Sequence, residues 1–263
     1  MAGRFRIALH LITWRGAQHE HPEDCFRVAA ECGYDGVEGV RAESADELVE
    51  LAALAAEWGL QIVNVATPDK RQRVLFNCAL GNDAAEVGSL VRKDYGGEQM
   101  GEEDFRRAAA DLDDLIELAM KLGMAPFHHA HRGTIIETAE DVDMILRAAP
   151  GLQLLLDTGH LLACGADPLA VLRAHPGRIG HVHLKDFWAR DPRTWDNATS
   201  TWMEDGDFEE LGKGNFGFDI GELMKTLDQS GYQRWIGIEQ DRSRRDPAIT
   251  AKANRDFLRT LGY

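Results

Sequence analysis

Four ionisable residues lie at or near the ends of four successive predicted strands in the second half of the chain. They are Glu137, Asp157, His183 and Glu239. Three carboxylates and one imidazole suit a hard or borderline divalent ion such as Mn²⁺ or Mg²⁺, with coordination positions left for substrate oxygens. Each of the apolar runs 152–156 and 236–238 is followed directly by an acid. An ionised carboxylate at the end of a buried strand costs free energy unless it is paired or bound to a metal. Each acid alone is more typical of a helix cap or a surface charge, but the joint pattern predicts a divalent-metal site.

Alternation of side chains along the strands places a lysine beside this predicted site. His181, His183 and Lys185 occupy alternate positions of the seventh strand, so all three face the same way. Glu239 and Asp241 share one face of the eighth strand in the same manner. Lys185 therefore sits next to the metal, although a surface lysine that reaches solvent would show the same spacing.

Candidates for substrate contact come from other strands. His129 and His131 alternate on one face of the fifth strand, where either a substrate contact or a structural role fits a histidine. Trp14 and Glu38 end the first two predicted strands. They are expected to form the opposite wall of the substrate pocket, unless Glu38 simply pairs with a neighbouring arginine.

The scaffold that would position these residues is an alternation of short apolar runs and amphipathic segments. The predicted strands cover residues 6–14, 34–40, 61–66, 86–91, 124–131, 152–157, 179–187 and 235–240. The predicted helices cover residues 24–31, 45–58, 73–80, 103–122, 138–149, 167–174, 219–229 and 247–261. Eight such units favour a closed (β/α)₈ TIM barrel over a doubly wound open sheet. Active sites of these barrels are built at the C-terminal ends of the strands, which is where the candidate residues fall.

Length and charge restrict the domain count and the partners. The 263 residues fit a single α/β domain over 1–263, and the net charge of −15 disfavours nucleic acid and anionic membranes. No apolar run is long enough to span a membrane, and four scattered cysteines without a C-x-x-C pair favour a reducing cytoplasm. The segment 188–218 shows no helical or strand period and is a candidate lid. Its Trp188, Trp195 and Trp202 are expected either to cover a sugar ring or to pin the segment to the barrel.

Five sequence strings, in this order, resemble the motifs of a known family. They are GTIIE (133–137), LLLDTGH (154–160), HVHLKD (181–186), LGKGNFGFD (211–219) and IGIEQD (236–241). With a looser match over 11–14 and 34–39, the chain resembles the xylose-isomerase-like barrel superfamily of sugar phosphate isomerases and epimerases, and within it the inosose dehydratases. The resemblance implies metal ligation by the four residues named first. It also implies a substrate-side role for Lys185 and for His160, which matches the superfamily's D-x-x-H pair.

Such a site supports proton removal next to a carbonyl. The leading expectation is dehydration of a keto-cyclitol such as an inosose, as in inositol catabolism, with Glu137, Glu239, Lys185 and His160 as catalytic groups. A keto-sugar isomerase or epimerase, with Glu137 and Glu239 as acid and base, is the enzymatic alternative. A sugar-binding barrel or a partner subunit is the non-enzymatic one. The expected cofactor is one divalent ion, Mn²⁺ first and Mg²⁺, Co²⁺ or Zn²⁺ otherwise, the expected partner is a small sugar or cyclitol, and homo-oligomerisation stays open.

Overall fold

The computed structural model describes residues 5–263, with Glu98 described by its backbone alone. The strands are β1 (Ile7–His10), β2 (Gly36–Glu38), β3 (Gln61–Ile62), β4 (Ala84–Glu86), β5 (Ala125–His129), β6 (Gln153–Asp157), β7 (Ile179–Leu184), β8 (Asp186–Ala189), β9 (Gly206–Glu209) and β10 (Ile236–Ile238). Eight of them form one sheet in the order β3-β2-β1-β10-β7-β6-β5-β4, and every pair in it is parallel. Parallel neighbours bring all C-terminal strand ends to the same edge of the sheet.

Helices connect the consecutive parallel strands. They are α1 (Ala17–Glu20), α2 (Pro22–Cys32), α3 (Ala45–Glu57), α4 (Lys70–Ala79), α5 (Glu102–Lys121), α6 (Ala139–Ala148), α7 (Thr158–Ala163), α8 (Pro168–Ala174), α9 (Ile220–Gln229) and α10 (Pro247–Thr260). In α5, Phe105, Leu112 and Ile116 are buried on one face against the core, as its apolar periodicity predicts. The alternation confirms the predicted (β/α)₈ barrel class. Within the described part of the chain, no helix is long and apolar enough to cross a membrane.

Several predicted strands end earlier in the structure than the sequence predicts, among them the fourth and the seventh. The fourth strand, predicted at 86–91, ends at Glu86, because Gly88 has a φ of 152° that favours glycine and interrupts extended pairing. The seventh strand ends at Leu184 instead of 187, and β8 leaves the sheet to pair with β9 as an antiparallel hairpin within the segment predicted to lack strands. Each hairpin strand has four residues, which is too short for the alternation of polar and apolar side chains to be recognised.

Amide side chains bridge β3 and β4, the two ends of the strand order. Asn82 donates from Nδ2 to the Ile62 carbonyl at 3.2 Å and to Asn77 Oδ1 at 2.9 Å, and it accepts from Gln61 Nε2 at 3.1 Å. Asn77, fully buried on α4, accepts from the Val65 N–H at 2.9 Å and donates to the Val65 carbonyl at 3.1 Å. These side chains satisfy backbone groups that a strand-to-strand ladder would otherwise pair.

Substitution of Asn77 is therefore expected to destabilise the barrel. Asn77→Ala leaves a buried N–H and a buried carbonyl of Val65 without partners, which should lower the free energy of unfolding by about 2–4 kcal/mol. Urea unfolding measures the change. Arg71→Ala, at an exposed position of the same helix, is the control and should change stability by no more than about 0.5 kcal/mol. Equal losses of stability in the two variants would contradict the role of Asn77 in joining β3 to β4.

A buried histidine ties β5 to the loop after β4. His128 is 0% exposed, its Nε2 accepts from the Leu90 N–H at 2.9 Å, and its Nδ1 lies 2.9 Å from the His129 carbonyl. This pattern needs a neutral ring with its proton on Nδ1. Burial lowers the pKa of His128 to about 4, so the ring stays neutral in the folded protein.

His128 is expected to make stability depend on pH. The unfolded chain takes up a proton near its ordinary pKa, whereas the folded chain does so only near 4, so the stabilisation is complete above about pH 6.5 and is lost as pH falls towards 4. Between pH 7 and 4.5 the wild type should lose about 2–3 kcal/mol more than His128→Gln. Urea unfolding of both proteins at the two pH values measures the difference. Parallel losses would show that the folded ring titrates normally.

Candidate functional site

A cavity of about 300 Å³ opens at the C-terminal ends of the strands. Its walls come from the C-terminal ends of seven strands and the loops that follow them, and they carry both carboxylates and imidazoles. The lining residues are His10, Ile12, Glu38, Gly39, Asn64, Ala66, Glu86, Ser89, His129, His131, His183, Glu239 and Asp241. The predicted concentration of ionisable groups at this edge of the sheet is thus present in the fold.

Four side chains converge on one point beside this cavity, and three of them line it. The ligand atoms of His129, Asp157, His183 and Glu239 all lie within 4.8 Å of one another. Asp157 Oδ2 is 3.1 Å from His129 Nε2 and 3.7 Å from His183 Nδ1. Glu239 Oε2 is 2.7 Å from the same His183 Nδ1. Strand register explains the meeting, since Asp157 pairs with His183 across β6 and β7, and Gly237 pairs with His183 across β10 and β7.

Lys185 lies against the same carboxylates. Its Nζ is 3.3 Å from Asp157 Oδ2, 3.1 Å from Glu239 Oε2 and 2.8 Å from Asp241 Oδ1. The side chain is fully buried, and the Nζ lies 4.3 Å from the centre of the Phe208 ring on β9. Lys185 therefore lies beside the acids, and it is not a surface lysine that reaches solvent.

Glu38 faces the other side of His183. Its Oε1 is 3.0 Å from His183 Nε2, and its Oε2 is 2.9 Å from His181 Nε2. Asn64, whose φ of 48° is unusual for a residue other than glycine, donates to Glu38 Oε1 at 2.8 Å. Glu38 thus pairs with histidines and an asparagine, where the sequence suggested either substrate contact or an arginine partner.

His160 and His131 form an aromatic wall next to the cluster. Their ring centres are 3.6 Å apart, and Phe208 packs edge-on against His160 at 4.8 Å. The main-chain N–H of His160 donates to Asp157 Oδ1 at 2.9 Å, so this carboxylate caps α7 while its other oxygen faces the cluster. The Nε2 of His160 is buried without a hydrogen-bond partner among the described residues.

Burial and charge act in opposite directions on the acids of the site. Burial alone would raise the pKa of Asp157, but the Lys185 ammonium and the hydrogen bonds from His129 and His183 outweigh it and hold that pKa well below its ordinary value. The pKa of Glu239 is also held well below its ordinary value, because Lys185 and His183 outweigh the effect of burial. The pKa of Glu38 is lowered in the same way by His181 and His183. All three carboxylates are therefore charged.

The basic groups divide into charged and neutral ones. Burial would lower the pKa of His183 and of Lys185, but the surrounding carboxylates, Glu239 and Glu38 for the histidine and Asp157 first for the lysine, raise both. Burial and then Lys185 lower the pKa of His160 well below its ordinary value. Burial also lowers the pKa of His131. The site thus presents neutral imidazoles at its rim and cations at its centre.

The structure does not bring Glu137 into the cluster. Its Oε2 is 3.1 Å from Arg92 Nε, and its Oε1 accepts from the Gly133 N–H at 2.6 Å. Arg92 also forms an ion pair with Asp141 of α6 at 2.8 Å. The three side chains thus connect the loop after β4 to the segment that follows β5. In the cluster, the fifth strand contributes His129 at its end instead of Glu137 from the following loop. The reason is local, because the loop from 130 to 138 turns back on itself before α6 begins.

Trp14 also lies elsewhere than predicted. The first strand ends at His10, and a 3₁₀ helix over Leu11–Trp14 follows it, which places Trp14 half-buried against the core. His10 takes the strand-end position and lines the cavity, with Nδ1 3.9 Å from Glu239 Oε1. His10 and Asn64 are the site residues that sequence reasoning missed. The position of His10 at the junction of an apolar run and a turn is the one feature that could have identified it.

The segment after β7 forms a packed wall of the site. Phe187 and Phe208 of the hairpin are buried, and Trp195 and Trp202 lie against Phe187 with ring centres 4.9 and 5.3 Å away. Trp195 Nε1 donates to the Ala163 carbonyl at 2.8 Å. These contacts match the expectation that tryptophans pin the segment to the barrel.

The donor set fits a divalent cation. His183 Nδ1 and Glu239 Oε2 are buried and face each other at 2.7 Å without hydrogen-bond geometry. A cation bound to both atoms would account for so short a distance between them. When His183 is neutral, as a metal-bound imidazole is, Asp157, Glu239 and Asp241 carry three negative charges against the one positive charge of Lys185, and a divalent ion would neutralise this excess. Two imidazoles with two carboxylates suit Mn²⁺, Co²⁺ or Zn²⁺ better than Mg²⁺, which prefers oxygen ligands alone.

Comparison with known proteins agrees with this architecture. The inosose dehydratase of Clostridium beijerinckii is 33% identical over 153 residues, which are 56% of this chain and 50% of that protein. The rhizopine catabolism protein MocC of Rhizobium meliloti is 33% identical over 162 residues, 59% of this chain and 49% of that protein. The chain spans about half the length of the curated relatives it matches.

Solved structures share the fold over almost the whole chain. The probable 3-DHS dehydratase of Bacillus anthracis has a TM-score of 0.72 at 16% identity and covers 97% of this chain and 99% of its own. The D-allulose 3-epimerase of a Methylomonas species has a TM-score of 0.71 at 19% identity and covers 98% of each chain. The family model described as xylose isomerase-like TIM barrel matches residues 26–261 and confirms the resemblance predicted from the sequence strings. The chain therefore belongs to the family of xylose isomerase-like TIM barrels.

Proposed function

We propose that the chain is a divalent-metal-dependent dehydratase that acts on a polyhydroxylated ketone of the inosose type. The observation that carries the proposal is the convergence of His129, Asp157, His183 and Glu239 on one point, with the Lys185 ammonium fixed beside them. The relatives named inosose dehydratase support the choice of substrate class.

His129, Asp157, His183 and Glu239 would hold the ion, with Mn²⁺ as the first choice. Bound there, a divalent ion supplies Lewis-acid polarisation of the ketone and stabilises negative charge on its oxygen, which acidifies the neighbouring C–H bond. Lys185 adds a second fixed positive charge that needs no reorganisation during the reaction, because three carboxylates already hold it in place.

Proton transfer falls to two side chains of the cluster. Glu239 directs Oε2 towards His183 Nδ1, which leaves Oε1 to accept the proton from the carbon next to the ketone. His160 accepts the Arg132 N–H at Nδ1, at 3.5 Å, so its neutral ring carries a proton on the unpartnered Nε2. That proton is donated to the β-hydroxyl as its C–O bond breaks. One C–H and one C–O bond are lost, a C=C bond forms, and one water leaves.

The position of Glu137 favours dehydration over epimerisation. An epimerase needs a second acid or base on the opposite face of the substrate, and the resemblance to the superfamily implies that role for Glu137. Its carboxylate is held by Arg92 and by the Gly133 N–H. Glu239 is thus left as the one acid-base glutamate of the predicted pair that faces the cavity.

The metal content of four proteins tests the ligand set. After reconstitution with Mn²⁺ and removal of free metal, the wild type should retain one ion per chain by elemental analysis. His129→Ala and Asp157→Asn should bind Mn²⁺ about tenfold or more weakly, because each loses a direct ligand. Glu137→Gln is the matched control and should retain the ion. Loss of metal in Glu137→Gln but not in His129→Ala would restore the ligand set predicted from the sequence.

Turnover of 2-keto-myo-inositol tests the reaction itself. The Mn²⁺-loaded wild type should convert it to a product lighter by one water, as seen by mass spectrometry. Lys185→Met should lower kcat about 10²–10³-fold through the loss of a preorganised charge, with its metal content unchanged. Lys213→Met, at an exposed lysine, should behave as wild type.

The same assay separates the alternatives. A product of unchanged mass from any of a panel of ketoses would indicate an isomerase or epimerase. No product from any substrate, together with metal-independent sugar binding, would indicate a binding barrel and would refute the proposal.

A further inference from the structure

Glu38 is enclosed, and protein donors occupy both of its oxygens. It is 1% exposed, Oε1 lies 3.0 Å from His183 Nε2 and 2.8 Å from Asn64 Nδ2, and Oε2 lies 2.9 Å from His181 Nε2. A carboxylate committed to three partners has little capacity left for a substrate hydroxyl. Its position in the cavity wall therefore needs an explanation other than substrate contact.

The neighbouring strand is shaped to admit this arrangement. A Cβ at Gly237 of β10 would lie 2.7 Å from Glu38 Oε2 and 3.1 Å from His183 Cδ2. Any side chain at that position would push the carboxylate and the imidazole apart. Glycine at 237 thus allows β2, β7 and β10 to bring Glu38 and His183 together under the ligand cluster.

We infer that Glu38 is a positioning residue that keeps a proton on His183 Nε2 and so presents the Nδ1 lone pair to the divalent ion. The inference rests on the proposed function. Without a metal ion the His183 ring is charged, but as a metal ligand it is a neutral imidazole with one proton, and the bond to Glu38 fixes that proton on Nε2. Nδ1 is then the free nitrogen, and it is the atom that faces Glu239 Oε2 at 2.7 Å and Asp157 Oδ2 at 3.7 Å. Carboxylates that hold the far nitrogen of a ligand histidine also raise its basicity.

A second cation between His10, Glu38 and His183 is the competing interpretation, since their ligand atoms also lie within 4.8 Å. Its geometry argues against it, because His183 Nε2 is already engaged with Glu38 and His183 Nδ1 faces the first cluster. The geometry thus places Glu38 behind one ion site and not within another.

Metal affinity and the protonated nitrogen of His183 test the inference together. Calorimetric titration with Mn²⁺ should give a Kd about 10–100-fold weaker for Glu38→Gln than for wild type. Glu86→Gln, a neutralised acid in the same cavity wall that pairs with Arg73 instead, should leave the Kd unchanged. In the Zn²⁺-loaded wild type, long-range ¹H–¹⁵N correlation spectra should show the His183 proton on Nε2. Thermal unfolding of the metal-free variants separates a loss of affinity from a loss of fold.

The outcomes distinguish this inference from the proposed function. A His183 proton on Nδ1, or a Glu38→Gln Kd equal to wild type, overturns the inference while the metal site stands. A wild type that binds no divalent ion overturns the proposed function and the inference with it. Should Glu38→Gln fail to fold, the wild-type spectrum alone decides, because it requires no substitution. A single bound Mn²⁺ per wild-type chain excludes the second cation.

Discussion

The buried carboxylates at the mouth of the barrel are the constraint on which the rest of the site depends. Asp157 and Glu239 are 0% and 5% exposed as side chains, and burial of uncompensated charge costs several kcal/mol for each group. Lys185 and His183 provide the compensation; His183 lies in β7, between the strands of the two acids in the sheet order, and Lys185 directly follows that strand. Because side chains alternate with a period of two, a slip of one residue in β7 would turn both cations away from the acids. The charges therefore specify the register of the sheet as well as the chemistry of the cavity.

The β8–β9 hairpin, which leaves the sheet after β7, also shapes the surroundings of the Lys185 ammonium. Asp186 accepts from the Gly212 and Gly214 N–H groups at 2.9 Å, and a Cβ at Gly214 would lie 1.9 Å from its carboxylate. These hydrogen bonds hold the segment that directly follows β9 in place. Phe208 of β9 lies over the Lys185 ammonium. The aspartate and the glycines of the HVHLKD and LGKGNFGFD strings thus act at one place. Their function is to keep the wall closed over the lysine.

The sequence is sufficient for the barrel and for the centre of the site, but not for the side chains that reach it from loops. Asp157, His183 and Glu239 end or lie in strongly apolar strands, so periodicity alone assigns their direction. Glu137 follows a turn, and its partner Arg92 lies in another loop 45 residues away. No local pattern encodes such a contact. β8 and β9 were missed for a related reason, since packing of their aromatic residues, and not alternation, defines these short strands.

The charge of the cavity bears on the substrate it would admit. Its walls carry the carboxylates of Glu38, Glu86, Glu239 and Asp241, and among the described residues that line it none is a lysine or an arginine. These carboxylates would repel an anionic sugar, whereas a neutral polyol can donate hydroxyl protons to those carboxylate oxygens that protein donors leave free.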